Sequence, residues 1–137
     1  MAVLVTEAGF VADDWAGRPV LSPDALADAA GEGLVVELPN DHDPAELAPW
    51  LARLALIRIT FPGMADGRGF SIARQLRAMG YAGRLRAVGP LIADQFRAAR
   101  RVGFDEVELP DAVAARQPEA QWRSAMERPS YQDRVLS

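Results

Sequence analysis

Three features of the sequence predict an α/β fold: an N-terminal hairpin, then about four parallel strands alternating with helices. From residue 34 onward, apolar runs of strand length alternate with stretches of helical periodicity. Strand starts recur every ~20–30 residues, the size of one strand-plus-helix unit. Glycine and proline punctuate the joints. Strands joined by helical crossovers run parallel, and the crossovers are right-handed. Four such strands make either an open sheet or half of a (β/α)8 barrel, and the sequence leaves both open. A half-barrel would leave exposed edges that favour a homodimer.

Taken in order, residues 3–5 and 10–12 are short apolar runs around Glu7-Ala8-Gly9 and read as the hairpin. Ser22-Pro23 opens a short helix, with serine as cap and proline at the first helical position, ended by Gly31 and Gly33. Residues 34–38 are strand-like. Asp43-Pro44-Ala45-Glu46 starts a helix whose apolar face is Leu47, Trp50, Leu51 and Leu54. Pro49 falls where it bends or restarts that helix.

Residues 56–61 are the next strand, a continuous apolar run that suits burial on both faces, interrupted by Arg58. A turn follows, and the helical stripe Ile72, Leu76, Met79 runs over 71–79 to Gly80. Residues 85–88 form a third strand, closed by Gly89. Pro90 opens a helix with Leu91 and Phe96 inward and Arg97, Arg100 and Arg101 toward water. Gly103 ends it, residues 104–109 form a fourth strand, and Pro110 opens a last helix to about Trp122. The reading is one domain over 1–126 with a polar tail over 127–137.

Composition narrows the chemistry. The chain has no cysteine, which excludes disulfides, thiol catalysis and cysteine-ligated zinc or iron–sulfur clusters. A single histidine excludes a multi-histidine metal site. All 15 basic residues are arginine, so there is no Schiff-base or P-loop lysine. The formal charge of −4 argues against a nucleic-acid or anionic-membrane partner held by bulk charge. No apolar run approaches the roughly 20 residues of a membrane-spanning helix, and no basic-then-apolar leader is seen, so a cytoplasmic location is expected.

In either architecture, ligands bind at the C-terminal ends of the parallel strands. The candidate there is the turn Asp66-Gly67-Arg68-Gly69-Phe70-Ser71. Glycines let backbone N–H groups approach a ligand, a helix N-terminus adds partial positive charge, and Arg68 can clamp a phosphate, sulfate or carboxylate. Arg86 in the third strand, Gly89 at its end, and Asp94-Gln95 in the next helix are candidates to converge on the same edge. The structural alternative is that Asp66 and Ser71 cap the helix and Arg68 pairs with Asp66. Arginines within strands need partners, so Arg58 either lies at the strand's edge or pairs with Glu37 on the neighbouring strand. His42 reads as a surface residue beside a helix cap.

The ordered series Phe61-Pro62, Asp66 to Ser71, Leu76-Arg77, Leu85 to Gly89, Asp94-Gln95 and Gly103-Phe104-Asp105 resembles the bacterial DUF934 family, over roughly 34–108. The resemblance implies a link to assimilatory sulfite reduction, because members are labelled as oxidoreductases of that pathway, largely from neighbouring genes. It implies sulfite reductase or another sulfur-assimilation protein as partner. Two positions depart from the family pattern: Val102 stands where cysteine is common, and Pro90 where an acidic residue is. No stretch reads as a site for flavin, NADPH, siroheme or an iron–sulfur cluster, and the cofactor is left unknown. Three readings follow: an accessory protein of sulfite reduction, a small α/β enzyme or binding protein for an anionic ligand, and a structural dimerisation module. In the enzyme reading, Asp66 or Asp94 is the general base and Arg68 stabilises negative charge.

Overall fold

The computed structural model describes residues 3–6, 9–11, 19–61, 67–89 and 93–109. They form a mixed, open six-stranded sheet. The strands are β1 (Val3–Thr6), β2 (Gly9–Val11), β3 (Leu34–Leu38), β4 (Leu54–Thr60), β5 (Arg84–Val88) and β6 (Glu106–Leu109). Their order across the sheet is β2-β1-β6-β5-β4-β3. β3 to β6 are mutually parallel, and β1 pairs antiparallel with both β6 and β2. The half-barrel alternative is thereby resolved: the strands follow one another consecutively, as in a barrel, but the hairpin extends the sheet instead of closing it. The expected last helix and the tail lie outside the described residues.

Two helices, α1 (Arg68–Ala78) and α2 (Ala93–Arg101), and two 3₁₀ helices, Pro23–Asp28 and Pro44–Arg53, complete the described elements. Right-handed crossovers that always step the same way put every connecting helix on one face. One buried cluster accordingly unites Leu26, Leu47, Ile72, Leu76, Phe96 and Ala99 with Val36, Ile57, Ile59, Leu85, Ala87 and Val107 of the sheet. Each large side chain buried there contributes roughly 1.5–3 kcal/mol.

The segment expected as a helix from Asp43 is 3₁₀ throughout. Pro49 has no N–H to give an i−4 carbonyl, which disfavours α-helical bonding around it. Asp43 caps it, accepting from the Ala45 N–H at 3.0 Å. Ser22, by contrast, makes no side-chain capping bond. Leu54 belongs to β4, not to the helical face.

α1 and α2 end in the same way. Gly80 (φ 97°) and Gly103 (φ 115°) take the left-handed conformation. The next N–H, of Tyr81 or Phe104, returns to the carbonyl of Leu76 or Ala99. Both aromatics are thereby turned into the core. At this N-terminal edge of the sheet, Arg77 joins three segments. Its guanidinium donates to the carbonyls of Gly103 (2.7 and 3.1 Å), Tyr81 (3.0 Å) and Gly83 (2.8 Å), and to Asp105 Oδ2 (3.0 Å). The same Asp105 oxygen accepts the Leu85 N–H at 2.9 Å. Burial pushes the Tyr81 hydroxyl well above the ordinary phenol range, so it stays a neutral donor, to the Arg84 carbonyl at 3.1 Å.

The edge strand β3 is partly covered. Leu21 runs parallel to it, donating to the Val35 carbonyl at 2.8 Å and accepting from the Glu37 N–H at 2.9 Å. Among the described residues no helix is long and apolar enough to cross a membrane.

Candidate functional site

Strand register sorts the candidate arginines before any ligand is considered. Glu37, Arg58, Arg86 and Glu106 occupy one row across β3, β4, β5 and β6. Side chains alternate along a strand, so this row lies on the face opposite the helices. Two arginines side by side would repel, and Glu108, one step along β6 on the same face, bridges them. Its Oε2 accepts from Arg58 at 2.8 Å and its Oε1 from Arg86 at 2.9 Å. Arg58 also meets Glu37 at 3.0 Å, the second of the two alternatives the sequence left for it. Glu106 accepts from Arg86 Nε at 2.6 Å through one oxygen and from Arg84 at 2.5 and 3.0 Å through the other. Six charges thus alternate in sign: Glu37, Arg58, Glu108, Arg86, Glu106, Arg84.

Arg86 is 1% exposed and Glu106 3%. Groups so buried need full pairing, because an isolated buried charge is costly. Arg86 therefore does not join the turn at the sheet edge; two carboxylates hold it on the sheet face. Glu106 and Glu108, which hold it there, were not candidates from the sequence.

The turn itself is partly described. Residues 62–66, including Asp66, lie outside the described residues. α1 begins at Arg68, three residues before the expected start, so Arg68 and Gly69 lie in its first turn. Gly67 is the N-cap residue and offers no side chain to cap the helix. The helix bonds begin with Phe70 N–H and Ser71 N–H, both to the Gly67 carbonyl, at 3.1 and 3.4 Å. Ser71 is therefore an exposed first-turn residue, not the cap. Arg68 is exposed as well.

The glycines differ in what the fold asks of them. A Cβ on Gly69 would lie 2.3 Å from the Phe61 ring, which packs with Phe70 and Phe104 at centroid distances of 5.3 and 5.9 Å. A Cβ on Gly89 (φ 149°) would meet the Phe61 carbonyl oxygen at 2.3 Å, and the Gly89 N–H is bonded to the Glu108 carbonyl at 3.1 Å. Gly69 and Gly89 thus let α1 and the end of β5 close on Phe61. Gly67 has φ −89° and open space where its Cβ would be. Neither sterics nor backbone conformation requires glycine there.

Gln95 is half-buried in α2, and Asp94 precedes it; the Asp94 side chain lies outside the described residues. At the same edge of the sheet, Asn40 is buried after β3, and Thr60 Oγ1 donates to the Leu38 carbonyl at 3.3 Å. His42, expected at the surface, has its side chain 16% exposed, with Nε2 3.3 Å from Glu46 Oε2. Among the described residues no group of three or more His, Cys, Asp or Glu is arranged to hold a metal ion.

Fold and register define an α/β protein whose parallel strands are wound in one direction, with helices on one face and an ion-pair network on the other. The chain belongs to the family described as bacterial protein of unknown function (DUF934), whose model matches residues 35–136. Comparisons with curated proteins and with solved structures give no match. Val102, at the position where the resemblance expects cysteine, packs half-buried against the core beside Gly103.

Proposed function

We propose that this protein is an accessory component of assimilatory sulfite reduction that holds a small anion at the Asp66–Ser71 turn. The anion reading rests on one observation: the N-cap of α1 is a glycine in open space that the fold does not demand. Glycine at such a position leaves the first-turn N–H groups approachable, and the helix dipole favours negative charge there. Arg68, exposed in the same turn, supplies a planar two-point donor for an oxyanion. The pathway comes from the family resemblance. A chain without cysteine or lysine suits assisting a redox enzyme better than thiol or Schiff-base chemistry of its own.

The test is a thermal-shift panel of sulfite, sulfate, phosphate, nucleotides, NADPH and flavins on wild type and Arg68→Ala. A ligand at a hundred times its Kd stabilises the native state by about 2.7 kcal/mol, a rise of several degrees in Tm. The expected result is a shift with an oxyanion in wild type that is lost in a still-folded Arg68→Ala. No shift with any oxyanion defeats the binding reading, and failure to co-purify with sulfite reductase defeats the accessory one.

A further inference from the structure

The helix layer is divided by charge. Residues 19–53 carry seven carboxylates against one arginine, whereas residues 67–89 and 93–109 carry eight arginines against four carboxylates. The network on the far face of the sheet takes up Glu37, Arg84, Arg86, Glu106 and Glu108. On the helices the segregation persists: Asp24, Asp28 and Glu46 are exposed on the two 3₁₀ helices, and Arg68, Arg74 and Arg101 on α1 and α2. The consecutive strand order sets these helices side by side, so an acidic half adjoins a basic half on one surface.

Helix dipoles explain part of this. They favour acids in first turns, as for Asp24 and Glu46, and bases in last turns, as for Arg101. Two residues contradict the dipole. Arg68 sits at the N-terminus of α1, whose first turn has no acid, and Asp28 ends a 3₁₀ helix whose last turn has no base of its own, the Arg53 guanidinium donating instead to the Ala29 and Gly31 carbonyls at 2.7 and 2.8 Å. Each exception adds to the charge of its own half.

We propose that this surface is the interface of a two-fold homodimer, with the basic half of each copy on the acidic half of the other. A two-fold axis lying in the plane of the contact and parallel to the seam between the halves brings both complementary contacts together at once, so the assembly closes at two. A polyanionic partner suits the chain less well, because a net charge of −4 repels nucleic acid and anionic lipid at long range. A second copy carries the complementary charges in the same arrangement. Val20 is the exposed large hydrophobic residue among those described, so the contact is electrostatic and salt-sensitive.

Sedimentation equilibrium on the full chain tests this. Wild type is a dimer at about 50 mM salt, and its dissociation constant rises at least tenfold by about 500 mM as screening shortens the reach of the charges. Arg74→Glu with Arg101→Glu makes one variant, and Asp24→Arg with Asp28→Arg another. Each alone is a monomer, because like charges then meet on both sides of the axis. An equimolar mixture of the two regains the dimer mass, since the heterodimer restores one contact and keeps the other native. All four positions are exposed, and thermal melts confirm that both variants fold. A monomeric wild type at low salt, a dimer indifferent to salt, or a dimer that survives in either variant overturns the proposal.

Discussion

Arg77 and Arg68 lie at opposite ends of α1, one half-buried in a cluster of carbonyls and the other exposed. Arg77, in the last turn, is committed to three carbonyls and a carboxylate that bind the α1–β5 and α2–β6 connections together. Arg68, in the first turn, stands exposed beside a glycine that the fold does not require. The same contrast divides the sheet. Arg58, Arg84 and Arg86 are matched by carboxylates on its face, whereas among the described residues its C-terminal edge presents the start of α1 with an exposed arginine. Where arginine is buried or half-buried, its partners are internal and geometrically fixed; an exposed arginine can also be reached from outside. In barrels, too, the N-terminal end of the strands carries stability and the C-terminal end carries ligands.

The strongest way to break this contrast is Glu108→Ala. It strips Arg58 and Arg86 of the carboxylate between them and leaves two adjacent cations, Arg86 among them buried. Removing one partner of a buried ion pair costs about 3–5 kcal/mol. Urea unfolding should show the midpoint falling with an unchanged m value. A loss under about 1 kcal/mol would mean that the network is solvated and that the arginines there are not committed to the fold.

Of this network only Glu37, Arg58 and Arg86 were singled out in the sequence, although its pattern was there. Arg84, Arg86 and then Glu106, Glu108 alternate with apolar residues, so two strands carry opposite charges at period two. Pairing them requires knowing that β5 and β6 are neighbours in register, which the chain order suggests but does not fix. The Glu37–Arg58 pair was reached only as one of two alternatives, on the same assumption that consecutive strands are neighbours, which holds for β3 and β4. Strands and helix ends were legible wherever periodicity met glycine or proline. The start of α1 was not: Gly67 and Gly69 read as a turn, yet Gly69 is helical, and it is glycine because the Phe61 ring occupies the place a side chain would take. The role of Arg77 left no signal, since most of its acceptors are backbone carbonyls that any sequence would supply. The end of the turn that matters most for the candidate site, Asp66, lies outside the described residues.

Arg77→Ala should have the next largest effect. It leaves the Gly103, Tyr81 and Gly83 carbonyls without their common donor and removes a cation 5.6 Å from the Tyr81 ring centroid. A partly exposed guanidinium in such a cluster is worth about 2–3 kcal/mol. Hydrogen exchange should quicken in the 79–83 and 102–105 connections before it does in β4. Uniform acceleration across the sheet would show that the clamp is not local. Ligand shifts in the thermal panel should be unchanged, because this end of α1 is remote from the turn.

The smallest effect is also the most discriminating, because it separates two glycines in the same helix start. Gly69→Ala drives a methyl into the buried Phe61 ring and should cost about 1–3 kcal/mol through overpacking. Gly67→Ala meets nothing and keeps an ordinary backbone conformation. Its weaker capping is offset by a less flexible unfolded chain, so stability should stay within about 0.5 kcal/mol. Anion binding should respond differently. A methyl at position 67 crowds the first-turn N–H groups, so an oxyanion held there should lose affinity in a variant whose Tm is otherwise that of wild type. Binding and folding would then be uncoupled at one glycine and coupled at the other. If Gly67→Ala keeps the full ligand shift, the anion does not sit against this backbone, and glycine at 67 has no binding role.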